Sequence, residues 1–112
     1  MSLADNQCIP CKGGVPALEA GKIQEMLGQV ESGWALNSAG HLEREYSFPN
    51  FADAWGFLNK VATVAEDQNH HPDLFLAWGT CKVEIWTHKI KGLTESDFYF
   101  AAKADRAFSS NG

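Results

Sequence analysis

The stretch HLEREYSFPNFADAWGFLNKVATVAEDQ, residues 41–68, changes its hydrophobic period at its centre. Its first part alternates apolar and polar side chains, as a β-strand with one face in water does, and Arg44 is the exception on the apolar side. Pro49 and Asn50 interrupt the strand, and residues 51–68 then repeat apolar side chains every three to four positions, which is typical of an amphipathic helix. The stretch therefore predicts a strand followed by a long helix, with Asn50 as the expected N-cap.

The same patterns predict the elements on both sides of this stretch. In the long helix, one stripe is expected to be buried, and neighbouring apolar residues broaden it. The stripe consists of Phe51, Trp55, Leu58, Ala62 and Ala65, and it is broadened by Ala54, Phe57, Val61 and Val64. The predicted elements are, in chain order, a helix over residues 17–32 ended by Gly33, strands over 34–36 and 41–48, the helix over 51–68, strands over 74–78 and 81–88 around a Gly79-Thr80 turn, and a helix from the capping-box-like Thr94-Glu-Ser-Asp97 to about residue 108.

This order of elements predicts an α+β fold, α-β-β-α-β-β-α, in which a four-stranded antiparallel sheet carries three helices on one face. Proline and glycine in residues 1–16 indicate an extended N-terminal arm, and residues 17–112 are expected to form a single domain. An open four-stranded sheet has two unpaired edges, so we expect edge pairing into a homodimer or a larger homo-oligomer.

Size and charge limit the possible classes of function. The chain has 112 residues, of which 45% are hydrophobic and 21% charged, enough for one globular domain with a core. Its net charge of −5 and the lack of any Lys/Arg run argue against binding to nucleic acid or to an anionic membrane. No apolar run approaches the roughly 20 residues of a membrane span, and the N-terminus has no signal-peptide pattern, so a cytoplasmic protein is expected.

Three cysteines raise the question of a metal or redox site. Cys8 and Cys11 form a CxxC in a Pro/Gly-rich segment, but the second ligand pair that a structural zinc site usually has is missing. Three interpretations stay open for this pair: a lead-in without a special role, a zinc site or zinc-mediated assembly, and a redox pair. Cys81 is expected to be a small buried residue of a strand.

Histidines form the most informative motif. Residues 66–73 read EDQNHHPD and place His70 and His71 in the connection between the long helix and the third strand. In a sheet built of hairpins, this connection lies at the same end as the end of the fourth strand, which carries His88. The three histidines are therefore expected to converge.

Two kinds of chemistry fit three converging histidines. Zinc bound by three histidines keeps one open position, as catalytic zinc sites do, but HHP lacks the HExxH or HxH spacing that directs two ligands to one ion. Metal-free acid–base catalysis needs only side chains that titrate near neutral pH, and histidine has an unperturbed pKa of about 6.5. Elimination of water requires such a pair, one group to protonate the leaving hydroxyl and one to accept a proton.

Neighbouring residues are expected to support the histidines. Glu66 lies four residues before His70 and is expected to reach it, and Pro72 fixes the connection. Asp97 lies in the first turn of the last helix, where it either caps the helix only or also hydrogen-bonds the site. Trp34, Trp78 and Trp86 either pack in the core or contact a flat ligand.

The spacing Glu66-x3-His70-His71-Pro72-x5-Trp78-x9-His88-x8-Asp97 resembles the signature of the pterin-4a-carbinolamine dehydratase family. The resemblance implies an α+β fold that forms dimers or tetramers, and dehydration of 4a-hydroxytetrahydrobiopterin to quinonoid dihydropterin, which recycles the tetrahydrobiopterin of aromatic amino acid hydroxylases. It implies that the pterin is the substrate, with no metal or other cofactor. It also assigns roles to residues: proton transfer to His70 and His88, pterin binding to His71, and support of the pocket to Glu66, Pro72, Trp34 and Asp97.

Two further functions are compatible with this resemblance. One is a non-enzymatic partner or assembly protein of the same fold, because a fold alone does not fix a function. The other is a dehydratase for a different pterin, linked to molybdopterin metabolism, which could keep the same histidines.

Overall fold

The order of the elements in the computed structural model is the predicted one, α-β-β-α-β-β-α. The structure describes residues 3–6, 8 and 17–109. Short 3-10 helices lie at Leu3–Asp5 and His88–Ile90. The main elements are α1 (Ala20–Leu27), β1 (Ala35–Leu36), β2 (Leu42–Ser47), α2 (Phe51–Gln68), β3 (Asp73–Ala77), β4 (Thr80–Ile85) and α3 (Glu95–Ser109).

The four strands form one antiparallel sheet in the order β1-β2-β4-β3. The two predicted hairpins lie side by side, with β2 and β4 in the centre, and Leu42 of β2 faces Ile85 of β4. On the other side of β4, Asp73 of β3 faces Glu84. The register therefore places the start of β3 and the end of β4 at the same end of the sheet, as the prediction for the histidines requires.

The core lies on one face of the sheet. In β4, Cys81, Val83 and Ile85 are fully buried and alternate with partly exposed residues, and they form one cluster with Phe57 and Val61 of α2. Full burial of an aliphatic or aromatic side chain stabilises a fold by about 1.5–3 kcal/mol. The cluster therefore fixes which face of the sheet the helices cover. The predicted burial of Cys81 is confirmed.

Helix α2 has the predicted bounds, and its N-cap prediction is confirmed, since the Asn50 side chain accepts a hydrogen bond from the Asp53 N–H at 2.8 Å. The expected buried stripe was wrong in part. Phe51 and Trp55 are 44% and 54% exposed. The buried positions include four that the prediction named, Ala54, Phe57, Val61 and Ala65, and one that it did not, Gln68. The side chains that were expected to broaden the stripe therefore form its buried centre, and the N-terminal aromatic residues lie at its exposed margin.

Several predicted boundaries were also wrong. Helix α1 ends at Leu27 rather than at Gly33, which lies beside the Arg44 side chain, where a Cβ would come within 2.6 Å of Nε. The β3–β4 turn consists of Trp78 and Gly79, because Ala77 pairs with Thr80. Glycine fits there because a Cβ at residue 79 would lie 2.9 Å from the Phe48 carbonyl oxygen.

Arg44, the exception in the alternating strand, has a buried carboxylate partner. Its Nη1 donates to Asp105 Oδ1 at 2.7 Å, and its guanidinium lies 4.4 Å from the centre of the Tyr46 ring. The Tyr46 hydroxyl and the Trp34 indole N–H also donate to Asp105, at 2.5 and 2.9 Å. The cluster of Asp105, Arg44, Tyr46 and Trp34 therefore joins α3 to β2 and to the residue before β1.

Part of the N-terminal segment packs against the domain. Lys103 Nζ donates to the Ala4 carbonyl at 2.7 Å, and the Cys8 N–H donates to the Gln68 side chain at 2.8 Å. The Cys8 thiol is buried and donates to the Ser96 carbonyl at 3.5 Å. Burial raises the pKa of this thiol to about 11.

The interpretations of the CxxC pair depend on Cys11, which lies outside the described residues. Among residues 3–6, 8 and 17–109, no group of three or more His, Cys, Asp or Glu side chains is arranged to hold a metal ion. No helix within these same ranges combines the length and hydropathy needed to cross a membrane.

Candidate active site

The end of α2 determines where the two adjacent histidines lie. Asn69 adopts the left-handed conformation, with φ 52° and ψ 42°. The Asn69 N–H donates to the Glu66 carbonyl at 3.4 Å and the His70 N–H to the Ala65 carbonyl at 3.1 Å, which is the hydrogen-bond pattern of a Schellman motif. Asparagine accepts this conformation more readily than most residues. The chain therefore reverses direction at Asn69, and the histidines follow immediately.

His70 is held by a buried carboxylate. Its Nε2 lies 2.6 Å from Oδ1 of Asp97, whose side chain is fully buried. The other oxygen, Oδ2, accepts from the Thr94 N–H at 2.8 Å and from the Thr87 hydroxyl at 2.9 Å. Asp97 therefore both caps α3 and hydrogen-bonds His70, which is the second of the two alternatives that the sequence left open.

The Asp97 contact also determines the tautomer of His70. An ionised carboxylate only accepts hydrogen bonds, so the His70 nitrogen that faces it, Nε2, carries a proton. In the neutral ring, Nδ1 is then the nitrogen that can accept a proton. This is the arrangement of a histidine base oriented by a carboxylate.

His71 has a weaker partner. Its Nε2 lies 2.6 Å from Glu66 Oε2, but the two side chains are 51% and 80% exposed. Water and salt screen such a pair, so it orients His71 only loosely. The prediction that Glu66 reaches His70 was wrong, because the reversal at Asn69 directs His70 toward α3 and leaves His71 beside the last turn of α2.

His88 lies just beyond the sheet. Strand β4 was predicted to continue to this residue, but it ends at Ile85, and the Thr87 N–H donates to the Gly92 carbonyl at 2.8 Å, which closes a short loop. His88 is the first residue of the 3-10 helix in this loop and is exposed. Its ring meets the Trp86 ring edge to face, with centroids 4.3 Å apart and planes at 81°.

One pocket of about 290 Å³ brings the three histidines together. Small-molecule sites usually begin at about 300 Å³, so its size suits a small flat ligand. Thr87, which lines the pocket, bonds Asp97, so the same carboxylate connects the His70 and His88 segments. The lining residues are Asn69, His70, His71, Trp86, Thr87, His88 and Lys89.

The other predicted site residues lie outside this lining. Glu66 and Asp97 contact the pocket through His71 and His70. Pro72 separates His71 from the start of β3. Trp34 is buried, and its indole N–H donates to Asp105 near the other end of α3, so it packs in the core rather than beside the histidines.

The sequence did not single out some of the lining residues. Thr87 could have been noticed, because strand alternation puts it on the same face as buried Val83 and Ile85, where a polar side chain needs a hydrogen-bond partner. Trp86 was one of three tryptophans considered, and the sequence alone did not distinguish them. We find no sequence signal for Lys89.

Comparison with known proteins adds independent information. A model of the family described as pterin 4 alpha carbinolamine dehydratase matches residues 16–107. A protein of Rickettsia bellii is 55% identical over 93% of this chain and 92% of its own length, and one of Rickettsia canadensis is 52% identical over 92% and 94%. Both names assign them, provisionally, as pterin-4-alpha-carbinolamine dehydratases.

A solved structure has the same fold. The crystal structure described as a transcriptional coactivator/pterin dehydratase from Brucella melitensis superposes with a TM-score of 0.76. It is 30% identical in sequence, and the match covers 81% of this chain and 97% of that one. The similarity therefore extends over nearly all of the solved chain.

Proposed function

The chain belongs to the pterin 4 alpha carbinolamine dehydratase family, whose members are hydro-lyases, and from this premise we propose that its three pocket histidines dehydrate 4a-hydroxytetrahydrobiopterin. The products are quinonoid dihydropterin and water, so the reaction recycles tetrahydrobiopterin. The observation that carries the proposal is that His70, His71 and His88 line one pocket, with His70 bonded to a buried carboxylate.

The proposed chemistry needs one proton donor and one proton acceptor. The C4a–O bond of the carbinolamine breaks and the hydroxyl leaves as water, while N5 loses a proton and the C4a=N5 double bond forms. We assign the acceptor to His70, because Asp97 keeps the proton on Nε2 and stabilises the imidazolium that forms when Nδ1 accepts a second one. We assign the donor to His88, whose exposed ring can regain a proton from water.

The remaining predicted residues take supporting roles in this proposal. His71, with Glu66, binds and orients the pterin, and the exposure of its side chain supports this role because a ligand can reach it from solvent. Pro72 restricts the connection that carries both histidines. Trp34 supports the packing of α3 through Asp105. The pterin is the substrate, and the mechanism uses no metal and no other cofactor.

The protein is further proposed to act in the cytoplasm as a homodimer or homotetramer. Strand β3 pairs only with β4 among the described strands and so offers a free edge of five residues. The exposed aromatic side chains of Phe51, Trp55 and Trp78 also favour association with another copy of the chain.

A second candidate function is a non-enzymatic partner role. It is favoured by the description of the Brucella melitensis structure as both a transcriptional coactivator and a pterin dehydratase. A dehydratase for another pterin, linked to molybdopterin metabolism, would use the same histidines and is distinguished by its substrate. Three histidines around one pocket favour catalysis, because a partner role alone does not need them.

The test follows the decay of enzymatically generated 4a-carbinolamine with and without the protein. We expect the protein to accelerate the decay, and His70→Ala and His88→Ala each to slow turnover about 10²-fold or more. His71→Ala should chiefly raise KM. A wild-type protein that leaves the spontaneous rate unchanged would contradict the proposal, and inactivity together with stoichiometric capture of a partner would support the second candidate.

A further inference from the structure

The three pocket histidines differ in what holds them. His70 and His71 each have a carboxylate within 2.6 Å. Within residues 3–6, 8 and 17–109, the His88 ring has no hydrogen-bond or ion-pair partner, and it contacts the Trp86 ring. The Thr87–Gly92 hydrogen bond holds the backbone around His88, so what fixes Trp86 matters for the orientation of the His88 ring.

Trp86 is fixed by a second aromatic ring. The His41 imidazole stacks on it with centroids 3.8 Å apart and planes at 3° to each other. Leu42 faces Ile85 across the β2–β4 ladder, so His41 and Trp86 are the next pair beyond the end of the ladder. Cross-strand pairs of this kind lie close enough for their side chains to pack. The stacked His41 and Trp86 rings therefore lie just beyond the end of the β2–β4 ladder, and Trp86 also lines the pocket.

Hydrogen bonds to the ring and to the backbone also hold His41. Its Nδ1 lies 2.7 Å from Glu84 Oε2, which also accepts from the Asn37 side-chain NH₂ at 2.7 Å. Asn37 Oδ1 accepts from the His41 and Ala39 N–H groups, both at 3.0 Å. The β1–β2 turn and β4 thus fix both the backbone and the ring of His41.

Electrostatics support this arrangement. Burial disfavours the charged form of Glu84, but the hydrogen bonds from His41 and Asn37, with the nearby charges of His41 and Lys82, outweigh burial and hold the pKa of this carboxyl below its usual range. Glu84 is therefore ionised at neutral pH and remains an acceptor for the His41 ring.

We propose that His41 and Trp86 are positioning residues that hold His88 for proton transfer, with Glu84 and Asn37 fixing His41. The inference rests on the proposed function, because it assigns a reason for the position of its proton donor. Misplacing a catalytic group by about 1 Å can cost about 10²-fold in rate. Loss of the stack should therefore reduce kcat and leave KM nearly unchanged, since the other histidines still bind the pterin.

A matched pair of substitutions separates ring stacking from hydrogen bonding. His41→Phe keeps a flat ring against Trp86 but loses the bond to Glu84, whereas His41→Gln keeps a polar group near Glu84 but loses the ring. We expect His41→Gln to lower kcat about 10-fold or more and His41→Phe to retain most of it. Trp86→Leu should resemble His41→Gln, and Trp86→Phe should restore part of the rate. Phe75→Leu, on the exposed face of the sheet, is the control and should leave kcat unchanged.

A spectroscopic measurement makes the test independent of activity. The Trp86 ring current should shift the NMR resonances of the His88 ring protons. These resonances should move in His41→Gln and move less in His41→Phe, while Trp86→Leu removes the ring current itself and serves as the reference for its complete loss. Far-UV circular dichroism and a thermal melt verify that each variant is folded. If Trp86→Leu fails to fold, the comparison of His41→Gln with His41→Phe tests the proposal on its own.

The outcomes separate the two proposals. An inactive wild type contradicts the proposed function, and the NMR shifts then decide whether His41 positions His88. An active wild type whose His41→Gln and Trp86→Leu variants keep kcat, or change only KM, overturns the positioning role. A raised KM with kcat retained would instead make Trp86 a wall of the binding site.

Discussion

At the scale of single residues, Asp97 and Glu66 show how burial changes the role of the same kind of group. Asp97 is fully buried and accepts from a ring nitrogen, a hydroxyl and a backbone N–H. The Glu66 side chain is largely exposed, and its partner among the residues that the structure describes is His71. A carboxylate that water cannot screen orients its histidine more strongly than one at the surface. His70 is therefore oriented more strongly than His71.

This difference predicts unequal effects of two matched substitutions. Asp97→Asn keeps the shape but presents an NH₂ donor and a single acceptor oxygen to three donors. One of these hydrogen bonds is lost, or His70 changes tautomer. We expect kcat to fall about 10²-fold or more and helix α3 to lose about 1 kcal/mol of capping. Glu66→Gln should change kcat only a few-fold.

The measurement is kcat and KM in the carbinolamine decay assay, with urea unfolding to record the change in stability. Equal losses in kcat for the two variants, or wild-type kcat in Asp97→Asn, would contradict the assigned roles. The urea curves show whether a loss of rate reflects unfolding, since a folded Asp97→Asn protein at the assay temperature isolates the chemical effect.

At the scale of the elements, the end of α2 determines the direction of the histidine connection. Asn69 is in the left-handed region, which costs residues with an ordinary side chain about 1–2 kcal/mol and glycine almost nothing. The Schellman hydrogen bonds at Ala65 and Glu66 depend on this conformation. The sharp reversal is therefore a property of one residue.

Substitutions at Asn69 should follow backbone preference. Asn69→Gly should keep or slightly raise the free energy of unfolding, whereas Asn69→Ala should lower it by about 1 kcal/mol and Asn69→Val by about 1–2 kcal/mol. Urea unfolding of the four proteins measures this order. Equal stability of the Gly and Val variants would show that the reversal does not depend on the left-handed conformation.

Local signals made part of the fold predictable. Asn50 as N-cap and Pro72 beyond the end gave α2 its limits, because capping and proline geometry act within a few residues. The face of α2 was less predictable, since Phe51 and Trp55 are as apolar as the side chains that are buried. Which row meets the sheet depends on how the whole helix packs, which periodicity alone does not determine.

The site, like the fold, was predictable from the sequence only in part. Convergence of the histidines followed from hairpin topology, whereas the partner of Glu66 depended on the conformation of Asn69. The choice of tryptophan depended on tertiary structure, because Trp34 packs on Asp105 and Trp86 reaches the pocket through the β2–β4 register. These contacts join residues that are far apart in sequence, and a single sequence does not reveal them.

At the scale of the whole molecule, two buried thiols occupy separate parts of the structure. Cys81 lies in the central strand β4, and Cys8 lies in the N-terminal segment against Gln68 and Ser96. Burial raises the pKa of both thiols from the usual 9.0 to about 11. Both thiols therefore make the free energy of unfolding depend on pH in the alkaline range.

The sign of this effect follows from proton binding. Between pH 9 and 11 the folded state keeps both thiols protonated, while the unfolded chain loses these protons. The stabilisation is fully present below pH 9 and is lost as the pH rises toward 11, by an amount on the order of 1–3 kcal/mol for each thiol. We expect Cys8→Ser and Cys81→Ser each to reduce the fall in unfolding free energy over this range, and the double variant to reduce it most.

Urea unfolding at several pH values from 8 to 11 measures these slopes, with Cys11→Ser as the control for the third cysteine. The Cys8 variant is the informative one. A reduced slope for global unfolding in Cys8→Ser means that the N-terminal segment unfolds together with the sheet, because only then does its thiol contribute to the same transition. If Cys81→Ser reduces the slope and Cys8→Ser does not, the segment detaches before the domain unfolds, and its contacts with α2 and α3 add nothing to global stability.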